Sequence, residues 1–445
     1  MTVTKSSIYQ FIVFHVYMLV YYLTFPVKDS WGPTFALIVL VLILMALEYG
    51  RSHILASPVI LWYGLWLGVI AIARMDLNLY PFYKTWTDSL LWLVLINTEI
   101  FFVVYWLGEF SVKKECAFAF SEGNSYLADA VIIMLAVACV SFIINCIKFG
   151  VIPQLSGNAN EYRESFIKGL FYKPVNLFRF VFVLVPMAYK KTDSKLKKML
   201  IAFLGFCFIA EEMLSGWRSF TLQAMLLLLT GFFLSGERKT ASRKKIADYA
   251  VLIIAVIVFL VFVGYIAATR DFVRGSLKDK INYLVYILDM YVAPNFLNMQ
   301  SAMENVEPLM KPVYATEAFW GFFANHDAVY KAFGEIDQSI GAFNVSTYML
   351  QPWADLGSAG TYICTAVIAF ISGLSFKKCR LSQGNSSAFY LTLLGTANIT
   401  IFVMHNNLFV RAKSIMIWLI LALAVDILCR VLPEGILGRR SRKQL

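Results

Sequence analysis

The chain has 445 residues, 59% of them hydrophobic and 15% charged, with a mean hydropathy of +0.68. Soluble domains average about 45–50% apolar and about 25% charged residues, so an ordinary soluble protein is excluded. The net charge of +11 would suit a nucleic-acid binder, but most of the surplus lies in short connections between apolar blocks, where Lys and Arg retain loops in the cytoplasm. No nucleic-acid partner is expected.

The apolar residues come in blocks of about 20, the length a helix needs to cross the hydrocarbon layer. A helix is also the open segment that satisfies its own backbone hydrogen bonds there. In chain order the expected spans are 8–26, 32–48, 56–74, 89–109, 126–147, 173–189, 197–214, 218–235, 247–268, 357–376, 386–404 and 412–431. The first has no small-residue cleavage site after it and reads as a retained span rather than a signal peptide. The expected fold is therefore an all-α polytopic membrane protein of about twelve transmembrane helices, one integral membrane domain over residues 1–445.

Charge sets the orientation. Arg51, Lys113 and Lys114, the cluster Lys190, Lys191, Lys195, Lys197 and Lys198, and the cluster Arg238, Lys239, Arg243, Lys244 and Lys245 share one side when the spans are threaded alternately. So do Lys377, Lys378 and Arg380, and the tail with Arg439, Arg440, Arg442 and Lys443. The positive-inside rule makes that side the cytoplasm and puts both termini there. None of the seven cysteines (Cys116, Cys139, Cys146, Cys207, Cys364, Cys379, Cys429) falls in an outer connection, so no external disulfide framework is expected.

Two outer connections are long. Residues 148–172 carry Gly150, Pro153, Gly157, Asn158 and Asn160 as breakers. Residues 269–356 are too long for a simple link; within them Ile281, Leu284, Val285, Leu288 and Tyr291 recur at helical spacing up to Pro294, which predicts an amphipathic helix on the membrane surface or over a cavity. No phosphate-binding Gly-rich loop, paired-Cys zinc spacing, histidine pair at ligand spacing or Asp-x-Asp pair is present. A nucleotide-consuming or zinc enzyme is not expected, nor any cofactor or metal.

The outer face carries arginines that the orientation rule does not call for: Arg163, Arg218, Arg270, Arg274 and Arg411, with Arg179 near the outer end of its span. An ionisable group at a membrane boundary is costly enough to suggest function. A guanidinium grips phosphate oxygens through a planar fork that stays charged at any relevant pH, so arginines converging here would suit a lipid-linked diphosphate. The plainer reading is that each snorkels to the headgroups or pairs with an acid: Arg218 with Glu211 or Glu212, Arg270 or Arg274 with Asp271. Proton acceptors on the same side are Glu161, Glu211, Glu212, Asp271, His326, Asp327, Asp355 and His405. Asp355, just before a span, would also serve as a helix cap.

The stretch Asn344-Val345-Ser346-Thr347-Tyr348-Met349-Leu350-Gln351-Pro352-Trp353-Ala354-Asp355-Leu356-Gly357-Ser358-Ala359-Gly360 resembles a segment of the oligosaccharide repeat-unit polymerases of the Wzy type. In that family Asn, Thr and Pro precede an Asp-x-Gly-x-x-Gly that enters a span after the large periplasmic loop. Gly216-Trp217-Arg218 is similar to the family's Gly-x-Arg, and Glu161-Tyr162-Arg163 to the Tyr-Arg of its earlier loop. The resemblance reaches Arg163, Gly216, Arg218, Asn344, Thr347, Asp355, Gly357 and Gly360. It implies a GT-C-like helical bundle with a large periplasmic loop in a bacterial inner membrane. The implied reaction moves a growing glycan from one undecaprenyl diphosphate carrier onto the non-reducing end of a new carrier-linked unit, without nucleotide or metal.

On that reading Arg218 and Arg270 hold the donor diphosphate, Arg163, Arg274 and Arg411 bind or steer phosphate, and Asp355 or His326 takes the acceptor proton. The expected partners are the lipid-linked oligosaccharide donor and acceptor, the lipid membrane and a chain-length regulator. Two alternatives stay open: an O-antigen ligase-type transferase, which shares the donor, and a flippase for the same lipid-linked units. Against the flippase stand the lack of internal repeats and the long outer loop.

Overall fold

A computed structural model describes residues 5–24, 31–73, 87–112, 126–156, 159–216, 218–235, 295–305, 307–313, 347–382, 386–402 and 412–431. The expected span 247–268, the amphipathic helix at 281–291, and Arg270, Arg274, His326 and Arg411 lie outside the described residues, as do Asp271, Asp327, Asn344 and His405.

The described residues form helices and connections, with no strand among them. Helices α1 (Lys5–Thr24) and α2 (Trp31–Ser52) pair along their length. The third apolar block is divided into α3 (Pro58–Trp62), a π-helical turn (Tyr63–Leu67) and α4 (Gly68–Ala73). The π turn misaligns the backbone ladder, and the Tyr17 hydroxyl of α1 donates to the Leu67 carbonyl at 2.7 Å. Next come α5 (Asp88–Ser111) and α6 (Tyr126–Phe149), followed by a 3-10 turn (Pro153–Leu155) and the short α7 (Ala159–Lys168).

The sixth block is broken. It runs through a 3-10 turn (Leu170–Tyr172), α8 (Lys173–Phe178), a second 3-10 stretch (Arg179–Val183) and α9 (Val185–Lys191), with a bend of 58° before α9. Pro174 and Pro186 stand in the first turns of α8 and α9, where a missing N–H costs no helical bond. Helices α10 (Lys195–Leu214) and α11 (Arg218–Leu234) follow, then α12 (295–305), α13 (Leu350–Leu381), α14 (Ala388–Ile401) and α15 (Ala412–Val431).

Among the described residues, five helices are long and apolar enough to cross a membrane, or six with the bent pair counted as one span. They are Lys5–Thr24, Gly32–Ser52, Asp88–Ser111, Tyr126–Phe149 and Leu350–Leu381; shorter apolar helices lie at Pro58–Leu67, Ser219–Leu234, Ala388–Ile401 and Ser414–Cys429. The chain is thus an α-helical protein with membrane-spanning character. Among the described blocks that do not meet that test as single helices, the π turn divides one, the 58° bend another, and Lys195, Lys197 and Lys198 charge the start of α10, while the expected span 247–268 lies outside the described residues.

Polar contacts tie several helix ends together. Lys197 pairs with Asp129 at 2.7 Å, Lys190 donates to Ser235 at 3.1 Å, Lys378 to Tyr390 at 2.5 Å, and Arg380 to the Arg51 carbonyl at 3.1 Å. Each contact joins two ends that the threading assigns to the charge-rich side. At the opposite ends Tyr172 meets Glu212, and the Thr87 N–H meets Gln300.

Helices α5 and α13 form the most extensive pair. Small residues let their backbones approach, as in membrane helix pairs generally. A methyl group at Gly373 would collide with the Tyr105 carbonyl, and one at Gly108 with the Phe370 carbonyl. Between them a buried chain of hydroxyl and amide groups links Asn97, Thr361, Thr365 and Tyr348.

Candidate functional site

The segment that resembles the polymerase motif is where α13 breaks. Leu356 (φ −137°, ψ 18°) and Gly357 (φ 61°, ψ −146°) leave the helical region, so 350–355 and 358–381 are two helical pieces. The Gly357 conformation is open essentially to glycine alone. The break releases carbonyls from the helical ladder, and an outer-connection segment takes them up. The Leu309 N–H donates to the Ala354 carbonyl at 2.8 Å, and the Lys311 N–H to the Asp355 carbonyl at 3.1 Å. Pro308 packs over Gly357.

Asp355 stands immediately before this break, fully buried, within electrostatic reach of Cys364. Thr347 and Gln351 of the same segment are also buried, and Thr347 Oγ1 and Gln351 Oε1 make no hydrogen bond among the described residues. Tyr348 turns inward against Trp62 and Trp66, at centroid distances of 6.3 and 5.3 Å.

Helix α12 belongs to this region. Sequence reasoning treated 295–305 as part of a long outer connection, yet Asn295, Phe296, Asn298, Met299 and Ala302 are buried inside the bundle. Phe296 meets the edge of Trp66 at 5.3 Å, and Gln300 accepts from the Thr87 backbone at 3.0 Å. Phe296, Met299, Ala302 and Met303 recur at helical spacing after Pro294. That signal was available; three interleaved amides, Asn295, Asn298 and Gln300, masked it.

A second constellation lies where the 3-10 stretch Arg179–Val183, the end of α10 and the start of α11 meet. Gly216 adopts φ 79° and its N–H donates to the Met213 carbonyl at 3.3 Å, closing α10 with a left-handed cap. Arg218 then opens α11. The spacing of Gly-x-Arg thus has a mechanical meaning: the glycine ends one helix, and the arginine stands at the first position of the next. Arg163 lies partly exposed on α7.

Arg179 is not available for phosphate. Its Nε meets Glu212 Oε1 at 2.7 Å with both side chains buried, its Nη2 donates to Asn176 at 2.8 Å, and its guanidinium stacks 4.0 Å from the Phe220 ring. Glu212, which the sequence offered as a partner for Arg218, is occupied by Arg179 and by the Tyr172 hydroxyl at 3.2 Å. Glu211 beside it is also buried, and its Oε2 has no hydrogen-bond partner among the described residues. Neither Tyr172 nor Asn176 carried any signal in the sequence, because each is an ordinary residue until the 3-10 turns bring it to Arg179.

Compared with known proteins, the chain matches no family model, no curated protein and no solved structure. Among the described residues no group of three or more His, Cys, Asp or Glu is arranged to hold a metal ion.

Proposed function

We propose that the chain is a membrane-embedded glycan polymerase of the Wzy type, working at the outer face of a bacterial inner membrane with both termini in the cytoplasm. The observation that supports this most is the coincidence of the Asp-x-Gly-x-x-Gly segment with a broken helix. Non-helical backbone at membrane depth is tolerated where protein buries it or where it lines a cavity. Here the break has a buried carboxylate on one side and a glycine-only conformation on the other.

In the proposed reaction the acceptor hydroxyl attacks the anomeric carbon of the donor glycan. The new glycosidic C–O bond forms as the bond to the diphosphate oxygen breaks, the hydroxyl proton passes to Asp355 or His326, and undecaprenyl diphosphate departs. The leaving group is good without protonation, so positive charge placed where negative charge accumulates helps most. Arg218 and Arg270 are assigned that task, with Arg163, Arg274 and Arg411 steering donor or acceptor phosphate. A GT-C-like arrangement and a chain-length regulator as partner belong to the same proposal.

The test uses purified protein in detergent with lipid-linked repeat units as sole substrate, read as a ladder of lengthening glycans. The expected result is a ladder that Asp355→Asn weakens by about 10²–10⁴-fold if Asp355 is the base, and that Arg218→Ala weakens by about 10²–10³-fold. No lengthening by well-folded protein would overturn the reading.

One observation favours a second reading, a flippase for the same lipid-linked units: two apolar blocks are interrupted, at 356–357 and before α9, and discontinuous helices are common at transporter binding sites. Detergent separates the two. It abolishes transport and leaves polymerisation intact, so a ladder in micelles excludes a pure flippase.

A further inference from the structure

At the end of the bundle away from the polymerase segment, five elements enclose a charged centre that neither reading uses. Arg51 of α2 holds Glu48 through both carboxylate oxygens, Nε to Oε2 at 2.7 Å and Nη2 to Oε1 at 2.9 Å. Its remaining nitrogen, Nη1, meets Glu109 Oε2 of α5 at 2.5 Å. Glu48 is completed by Gln10 Nε2 of α1 at 3.0 Å and by the Ser57 hydroxyl at 2.9 Å. Arg380 of α13 borders the centre and donates to the Arg51 carbonyl.

Two features of this centre are unbalanced. The hydrogen-bonded triad contains two carboxylates and one guanidinium, with Glu48 0% and Glu109 5% exposed. Three buried oxygens around it, Glu109 Oε1, Gln10 Oε1 and Tyr63 Oη, have no hydrogen-bond partner among the described residues, while the Tyr105 hydroxyl lies against the Arg51 guanidinium. Both phenols face the centre: Tyr63 lies in the field of Glu48 and Arg51, and Tyr105 in that of Glu109, Arg51 and Glu48. A buried oxygen left without a partner costs about 1–3 kcal/mol, so three around the triad's one excess negative charge are a standing penalty unless something fills the gap. Tyr63 is also the first residue of the π-helical turn, a distortion found mostly at functional sites.

We propose that this centre is a binding site for one monovalent metal cation of the sodium class, ligated by Glu109 Oε1, Gln10 Oε1 and Tyr63 Oη. The ligand chemistry is hard oxygen throughout, which selects alkali or alkaline-earth ions over transition metals. A single carboxylate oxygen left over from the Arg51 network favours one positive charge over two. The cation ties α1, the π turn and α5 to the Arg51–Glu48 pair, so its role is to lock this end of the bundle. The proposal does not depend on the polymerase reading.

The test is equilibrium binding of radioactive sodium to the purified full-length protein in detergent, with choline chloride holding ionic strength constant. Saturable binding of about one ion per chain is expected, lost in Glu109→Gln and weakened about ten-fold in Tyr63→Phe, a difference of about 1.4 kcal/mol. Removing a phenol oxygen leaves the ring packing intact, so Tyr63→Phe stays informative even where Glu109→Gln fails to fold. Absence of saturable binding to the wild-type protein, or equal binding by the folded variants, would overturn the site.

Discussion

Two arginines hold buried carboxylates near opposite ends of this bundle, one of them holding a single carboxylate and the other two. Arg179 has one carboxylate, one amide and one aromatic face, which together account for its charge and several of its donors. Arg51 has two carboxylates, and buried oxygens around it have no partner. Burying a charge is tolerated when it is paired and hydrogen-bonded, so both centres can exist. The Arg179–Glu212 pair matches one charge to one and acts as a clamp, joining the Tyr172 turn, the end of α10 and, through Phe220, the start of α11, while the buried Glu211 carboxyl stands beside the pair. The Arg51 centre is over-supplied with negative charge. Of the two, it is the one built to receive something.

The largest expected effect tests the clamp. Glu212→Ala leaves the Arg179 guanidinium buried without its carboxylate, a change that costs about 3–5 kcal/mol in comparable sites, read as a lowered thermal midpoint in detergent. The double change Arg179→Met with Glu212→Leu removes both charges and is expected to recover most of that loss. A double variant as unstable as the single one would mean that the pair does more than neutralise itself.

Next in size is Glu109→Gln, measured in sodium-free choline buffer. Arg51 keeps its two-pronged hold on Glu48, so the loss is that of one charge-assisted bond, about 1.5–3 kcal/mol. A smaller effect here than at Glu212 is the signature of a centre with acid to spare. A larger one would show that both carboxylates are needed to hold Arg51, and the asymmetry between the two ends would disappear.

Much of this difference was legible in the sequence only as a list of parts. The apolar helices follow from hydropathy, and the expected alternate threading from Lys and Arg in the connections, both of them local properties. Arg179 stood out as a cation near a span's outer end. Its partner did not, because Glu212 is 33 positions away and equally close in sequence to Arg218. Arg51 read as one more retained cytoplasmic charge, yet its side chain is committed to Glu48 and Glu109 inside the bundle. The break at 356–357 follows from Gly357, which the resemblance had flagged. The burial of α12 was missed because amides interleave its apolar face.

The smallest effect separates the two centres by their neutral partners. Ser57 donates to Glu48 Oε1 at 2.9 Å, and Tyr172 donates to Glu212 Oε2 at 3.2 Å. Both are buried hydroxyls on carboxylates already held by arginine, so Ser57→Ala and Tyr172→Phe are each expected to cost about 1 kcal/mol. The sodium effect should differ between them. Ser57→Ala strips one donor from Glu48 and makes the Arg51 centre more negative at its edge, so added sodium should offset part of its loss. The Arg179–Glu212 pair lies at the other end of the bundle from the proposed cation, so the Tyr172→Phe loss should be the same in sodium and in choline. Equal sodium responses from the two variants would mean that the ends of the bundle share one electrostatic state and that the imbalance at Arg51 is only apparent.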